Sequence, residues 1–332
     1  MTRHATVRWL LAAVVIAAVG LVTVVAVGAS PERALAAAVE AAVGSPVAVQ
    51  ETLAKTVPLL LCGLAVALAF RAGVWNIGAE GQLLAGATVA TWAVLWVPAG
   101  PWSVAVGLGA GLVAGAAWAG IAALLRAVSG VNEVLSTILL NLVAQALLGW
   151  AVHGPLAEKG GAYPQSDALP EAARLWRPFP PGRLHLGLLV AALVGVAVWL
   201  LLRRTRWGLA VRATGDNAEA ARIAGVRTGR VQAQALLLSG AIAGLAGAVE
   251  VAGITFRLFE RFSPGWGYSG IAVALLGGLE PSGTAGAALL FGALSAGSGG
   301  MQRVAGVPAV ATLLLQGTVV VALAVRMGRG RR

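Results

Sequence analysis

The chain has 332 residues, of which 58% are hydrophobic and 11% charged, about half the charged share of an ordinary soluble domain. That composition excludes a disordered chain, a coiled coil and a disulfide-stapled secreted domain. Several apolar stretches run for about 18 residues or more without a charge, enough for a helix to span a ~30 Å hydrocarbon core, which argues against a soluble enzyme. Lys and Arg number 24 against 13 Asp and Glu, a net charge of +11. The arginines cluster at the ends of apolar runs, where orientation determinants belong, so the basicity implies no nucleic-acid partner. The single Cys62 lies inside an apolar run and offers neither a disulfide nor a thiolate metal site. His4, His153 and His185 are too scattered for a metal cluster and read as interfacial or solvated residues.

In chain order, the first apolar run covers 9–27 and follows Arg3 and Arg8. It is longer than the apolar core of a signal peptide, about 7–15 residues, and reads as an uncleaved first helix. Further runs lie at 53–70, 82–97, 102–125, 134–152, 186–202 and 231–251, then at 268–279, 285–296 and 307–325. The eighth and ninth are short and Gly-rich. The expected fold is all-α, a polytopic membrane protein of about ten transmembrane helices. It forms one domain, 1–332. Residues 1–50 hold the first helix and an outer connector, 51–153 a first half, 154–184 an extracytoplasmic loop, 203–230 a cytoplasmic loop, and 231–332 a second half.

Charge sets the orientation. The segment 203–230 carries seven arginines against Asp216 and Glu219, and the tail adds Arg326, Arg329, Arg331 and Arg332. Ten spans with both termini cytoplasmic place these clusters inside, with Arg71 and Arg126. Trp92, Trp96, Trp102, Trp150, Trp199 and Trp207 fall near span ends, as an aromatic belt does. Leu60-Leu61-Cys62-Gly63 recurs in form as Leu237-Leu238-Ser239-Gly240. Each opens a set of four spans of opposite predicted direction, 2–5 and 7–10, the pattern of an inverted repeat. Gly240 and Gly244 form a GxxxG pair suited to helix packing.

Neither Lys55 nor Lys159 sits in a phosphate-cradling glycine loop, so the chain carries no ATP-hydrolysing P-loop, although a partner that hydrolyses ATP can still drive it. The cytoplasmic loop reads as holding a short helix capped by Asp216 or Asn217, with Glu219 in its first turn and Gly225 as its stop. Such a helix suits docking of another subunit; a solvated basic connector is the plainer alternative. Residues 71–82 interrupt two apolar runs with three glycines. Trp75, Asn76, Glu80 and Gln82 there fit either a cytoplasmic turn or a broken helix beside a transport path. Glu133, Thr137, Asn141 and Gln145 recur every fourth residue and form a slanted polar stripe through an apolar helix. The stripe fits a substrate path or interhelical hydrogen bonding, and Gln316 in the last span is a lesser candidate for the same roles.

Glu219-Ala220-Ala221 followed by Gly225 resembles the EAA-xxx-G element of ABC-importer permeases. The surrounding Arg212–Val226 segment, Asn76–Gln82, Leu139-Leu140-Asn141 and Gly270–Gly277 followed by Pro281 and Gly283 are similar to one subgroup. That subgroup is the nucleoside and simple-sugar permeases linked to basic-membrane-lipoprotein-type binding proteins, within the branched-chain amino acid/ribose permease superfamily. The resemblance covers about residues 50–325. It implies a bacterial inner-membrane importer subunit, not an enzyme, without cofactor or metal, ATP and Mg being held by a partner ATPase. It also implies a second permease, identical or homologous, and an extracytoplasmic substrate-binding lipoprotein. Trp75, Asn76, Glu80, Gln82, Thr137, Asn141, Gln145 and Gln316 become the expected substrate path. Asn217, Glu219, Ala220, Ala221 and Gly225 become the expected ATPase contact. Nucleosides are the first substrate class, with simple sugars or branched-chain amino acids behind them. An ion-coupled transporter is disfavoured because Glu80, Glu133 and Glu250 all fall near predicted span ends.

Overall fold

The long apolar runs fold as helices because a backbone in hydrocarbon must satisfy its own hydrogen bonds. The computed structural model describes residues 18–22, 24–308 and 317–318. Its helices are α1 Pro31–Val43, α2 Pro46–Arg71, α3 Ala79–Trp96, α4 Ser103–Ser129, α5 Glu133–His153 and α6 Gly187–Arg204. They continue with α7 Arg206–Asp216, α8 Ala218–Ile223, α9 Thr228–Glu250, α10 Trp266–Leu276 and α11 Pro281–Ala305. A π-helical turn, Val251–Thr255, prolongs α9. Among the described residues there is no β-strand, only an isolated bridge between Gln165 and Phe259.

Five of the described helices are long and apolar enough to cross a membrane: α2, α4, α5, α6 and α9 with its π turn. Three features depart from the expected ten spans. The expected run 268–279 is the 11-residue α10, about 16 Å long and so roughly half a bilayer. The run 285–296 belongs to the 25-residue α11. Helix α1, capped by Ser30 with Pro31 in its first turn, falls where only a connector was expected. Most of the first and last expected runs, and Gln316, lie outside the described residues.

The chain divides into two units, Met1–Thr56 with Leu289–Arg332 and Val57–Ala288. In the first, Gly297 and Gly300 of α11 bring its backbone against Ala37, Ala38 and Ala41 of α1. The Thr52 hydroxyl donates to the Ala42 carbonyl at 2.8 Å, and Val24, Ala34 and Val307 form a small apolar cluster.

The second unit is built on glycine contacts between α3, α4 and α9. Gly86 lies on the backbone of Gly244, which itself packs on Gly111 and Gly115, while Gly240 packs on Gly115 and Ala119. A methyl group at any of these positions would overlap backbone, so small residues set the distance of approach. One end of this unit gathers the arginines. Arg71 and Arg203 both pair with Glu280, and Arg126 lies 3.6 Å from Glu133. At the opposite end the segment 154–186 runs along 252–259. Ser166, Leu169 and Leu175 each donate a backbone N–H to it at 2.8 Å.

Candidate functional site

Two helices of the second unit begin away from either end, after a stretch of irregular backbone. Helix α2 finishes at Arg71, the chain returns through 72–78, and α3 starts at Ala79. Along the return segment Val74 and Asn76 are buried while Trp75 is exposed, the alternation of extended backbone. Similarly, α9 ends in its π turn, residues 256–265 return without helix, and α10 starts at Trp266. The two helix starts meet where the Glu80 carboxylate accepts the Gly267 N–H at 2.7 Å. From there α10 leads to Glu280 at the arginine end. Helix α3 leads the other way, to Val94 beside Gly107. The order helix, irregular return, helix thus occurs twice with opposite sense.

The second Leu-Leu-x-Gly segment meets α2 two residues past the first. The Ser239 hydroxyl donates to the Ala65 carbonyl at 2.6 Å. Gly63 packs on Val273 and Thr284, and Gly240 on Gly115 and Ala119. Each long helix therefore packs against elements that follow the other.

Side-chain amides hold the return segment in place. Asn76 donates to Gln82 Oε1 at 2.9 Å and to Ser239 Oγ at 2.8 Å. Its Oδ1 accepts from Gly78 N at 2.9 Å and Gln82 Nε2 at 3.0 Å. Asn141 of α5 accepts from Gly81 N at 2.8 Å, and its amide donates to the Ile77 carbonyl at 3.0 Å and to the Tyr268 hydroxyl at 3.3 Å. Asn76, Glu80, Gln82, Thr137 and Asn141 are all buried. Irregular backbone at membrane depth needs such cover, so these groups act first as a scaffold.

The candidate path residues therefore divide. Trp75 is 54% exposed and packs its ring on Phe70, centroids 4.6 Å apart. Thr137 is turned to its own helix, donating to the Glu133 carbonyl at 2.6 Å. Gln145 is exposed and stands outside the buried network. The reason is geometric: steps of four drift ~40° around a helix. The buried seam of α5 instead follows Thr137, Asn141, Ala144, Leu148 and Ala151. Glu80 and Glu250, expected near span ends, are both buried. Sequence reasoning passed over two members of the network. Ser239 lay within the repeated Leu-Leu-x-Gly pattern, and Tyr268 is one of two tyrosines in the chain.

The candidate contact helix forms as capped. Asn217 Oδ1 accepts from Glu219 N at 3.1 Å and Ala220 N at 3.0 Å. Gly225 stops α8 with φ +88°. Ala221 is buried, while Glu219 and Arg222 pair in solvent. Just upstream, Gly215 abuts the Arg71 carbonyl and Gly73, so the last turn of α7 touches the start of the return segment.

His185, expected to be solvated, is instead buried at the head of α6. Its Nδ1 accepts the Gly187 N–H at 3.1 Å, and Gly253 packs on its ring. Burial, then the charges of Arg177 and Arg183, lowers its pKa to about 4. Nearby, hydrogen bonds from Arg257 and Gln165 hold the Glu158 carboxyl below its usual range. Among the described residues no group of His, Cys, Asp and Glu is placed to hold a metal.

Helices of this kind, broken at depth in a two-fold arrangement, characterise transporters. The model of a family described as the branched-chain amino acid transport system permease component matches residues 48–324. The chain belongs to that permease family. The permease is 39% identical to a glucose ABC transporter permease of Haloferax volcanii, covering 92% of this chain and 83% of the relative. It is 38% identical to a guanosine ABC transporter permease of Bacillus subtilis, over 78% and 76% of the two chains. A nucleoside ABC transporter permease of Lactococcus lactis is 31% identical, over 86% and 81%.

Proposed function

We propose that this permease imports nucleosides, driven by ATP hydrolysed on a separate subunit. The observation that carries the reading is its kinship with the guanosine and nucleoside permeases along most of the chain. The arrangement of aromatic surface beside a carboxamide scaffold supports it, since a nucleoside offers a π-face with donor and acceptor edges. The glucose relative favours a second reading, a simple-sugar permease.

In the proposed complex the permease lies in the bacterial inner membrane with both termini cytoplasmic. It pairs with a second permease and receives substrate from an extracytoplasmic lipoprotein. The ATPase, which holds ATP and Mg, docks on Asn217, Glu219, Ala220, Ala221 and Gly225. Its motion passes from α8 through Gly215 to Arg71 and Gly73. The return segment carrying Trp75 and Asn76 then shifts against Ser239 and Gln82, opening one side of the path and closing the other. No covalent step is required of this chain.

The test is uptake of labelled guanosine by cells that lack their own nucleoside uptake and express the permease with its partners. Excess unlabelled adenosine or uridine should suppress uptake and excess glucose should not. Uptake of labelled glucose without uptake of guanosine would establish the sugar reading.

A further inference from the structure

The second return segment, 256–265, descends beside α5. At its upper part the Glu260 carboxylate lies 3.9 Å from where a Cβ on Gly149 would stand. At its foot the Tyr268 hydroxyl accepts from Asn141. Gly149 and Asn141 are eight residues apart on α5, about 12 Å along its axis. Gln145 stands midway on the same slanted stripe and is exposed, as are Glu260, Arg261, Pro264 and Tyr268. Charged side chains and irregular backbone are not tolerated against lipid tails. The Asn141–Gln145–Gly149 stripe and the segment 260–268 therefore flank a shared exposed surface that is turned away from lipid tails.

Tyr268 stands at the foot of that surface. The residue is 48% exposed while its hydroxyl accepts a hydrogen bond from Asn141. Its backbone is fixed too, because Glu80 holds the neighbouring Gly267 N–H. A ring anchored at both ends presents one face without ordering cost on binding. Aromatic stacking accepts any base, since every base has a π-face.

We infer that Tyr268 is the platform on which the base of a nucleoside stacks, with the Gln145 carboxamide meeting the ribose hydroxyls, on a surface whose upper part is marked by Glu260 and Arg261. This deepens the nucleoside reading and its orientation, and rests on both. It gives the exposed Gln145 a role that the buried network does not.

Two measurements test it. The first is labelling of Tyr268→Cys in a Cys62→Ala background with an impermeant methanethiosulfonate added outside intact cells. The introduced thiol should react, and saturating guanosine should slow the reaction several-fold. No reaction, or a rate indifferent to guanosine, would overturn the assignment, because the ring would then face lipid or a second permease. The second is the maximal rate of guanosine uptake. Tyr268→Leu should lower it about tenfold, the scale of one lost stacking contact. Tyr268→Phe and Tyr268→Trp should keep most of it at equal membrane abundance. Equal losses in the Leu, Phe and Trp variants would mean that the side chain only supports the fold, and would overturn the stacking role. If the unmodified permease transports glucose and not guanosine, the nucleoside reading fails and the base-stacking role with it. Labelling of the Tyr268→Cys variant from outside still decides independently whether the surface is open to water.

Discussion

Asn141 accepts one backbone amide and donates to a backbone carbonyl and a tyrosine hydroxyl. Replacing it with leucine leaves the buried Gly81 N–H and the half-buried Ile77 carbonyl without that partner, at a cost of roughly 1–3 kcal/mol for a buried group left unpaired. Asn141→Leu should therefore lower the thermal midpoint in detergent by several degrees and reduce membrane abundance, whereas Gln145→Leu should leave both unchanged. Equal midpoints for the two variants would remove the scaffold role from Asn141. His185 gives a second residue-scale expectation. Its pKa of about 4 in the folded protein lies below the ordinary ~6.5 of an unfolded chain. Between those values the unfolded chain binds the extra proton, so stability present above about pH 6.5 is lost as the pH falls toward 4. The difference amounts to about 3 kcal/mol. Thermal midpoints measured from pH 7 to 4.5 should fall, and His185→Phe should flatten part of that fall; a parallel decline in the variant would assign the acid sensitivity elsewhere. The polarity of Asn76 and Gln82 at a break between apolar runs, and of Asn141 within one, was legible in the sequence. Their partners were not, because Ser239 and Tyr268 reach them across more than a hundred residues of chain.

Elements were legible to the extent that their signals are local. Asn217 and Gly225 bracket α8 as caps and stops do, since both act within a turn of the helix they bound. The half-length α10 was not legible as such. Its run, 268–279, is short but reads as a span, and only the contact with Glu80 reveals that it starts at depth. The drift of the α5 stripe explains the other difference, with Gln145 leaving the buried seam while Ala144 and Leu148 hold it. A valine at Gly225 would occupy φ +88°, a conformation β-branched residues avoid. Gly225→Val should therefore fray α8 and abolish substrate-stimulated ATP hydrolysis while the permease still inserts. Full coupled hydrolysis in that variant would reduce the loop to a connector.

At the scale of the whole molecule, composition and run lengths sufficed for an all-α polytopic membrane protein. The break at 71–82 was legible as either a turn or a broken helix, but the second return segment and its meeting with the first were not, because irregular backbone inside a membrane protein looks like a loop when read residue by residue. The orientation proposed from charge can be probed at sites the structure shows to be exposed. In a Cys62→Ala background, Tyr163→Cys should react with an impermeant maleimide outside intact cells. Ala218→Cys should react only after permeabilisation. The reverse pattern would invert the topology. The central claim, an ATP-driven nucleoside importer, is tested most directly in proteoliposomes holding the permease, its ATPase and the substrate-binding lipoprotein, with labelled guanosine on the lipoprotein's side. The account predicts guanosine accumulation that requires ATP on the ATPase side and survives collapse of the ion gradients. Accumulation that proceeds without ATP and disappears with the gradient would contradict it.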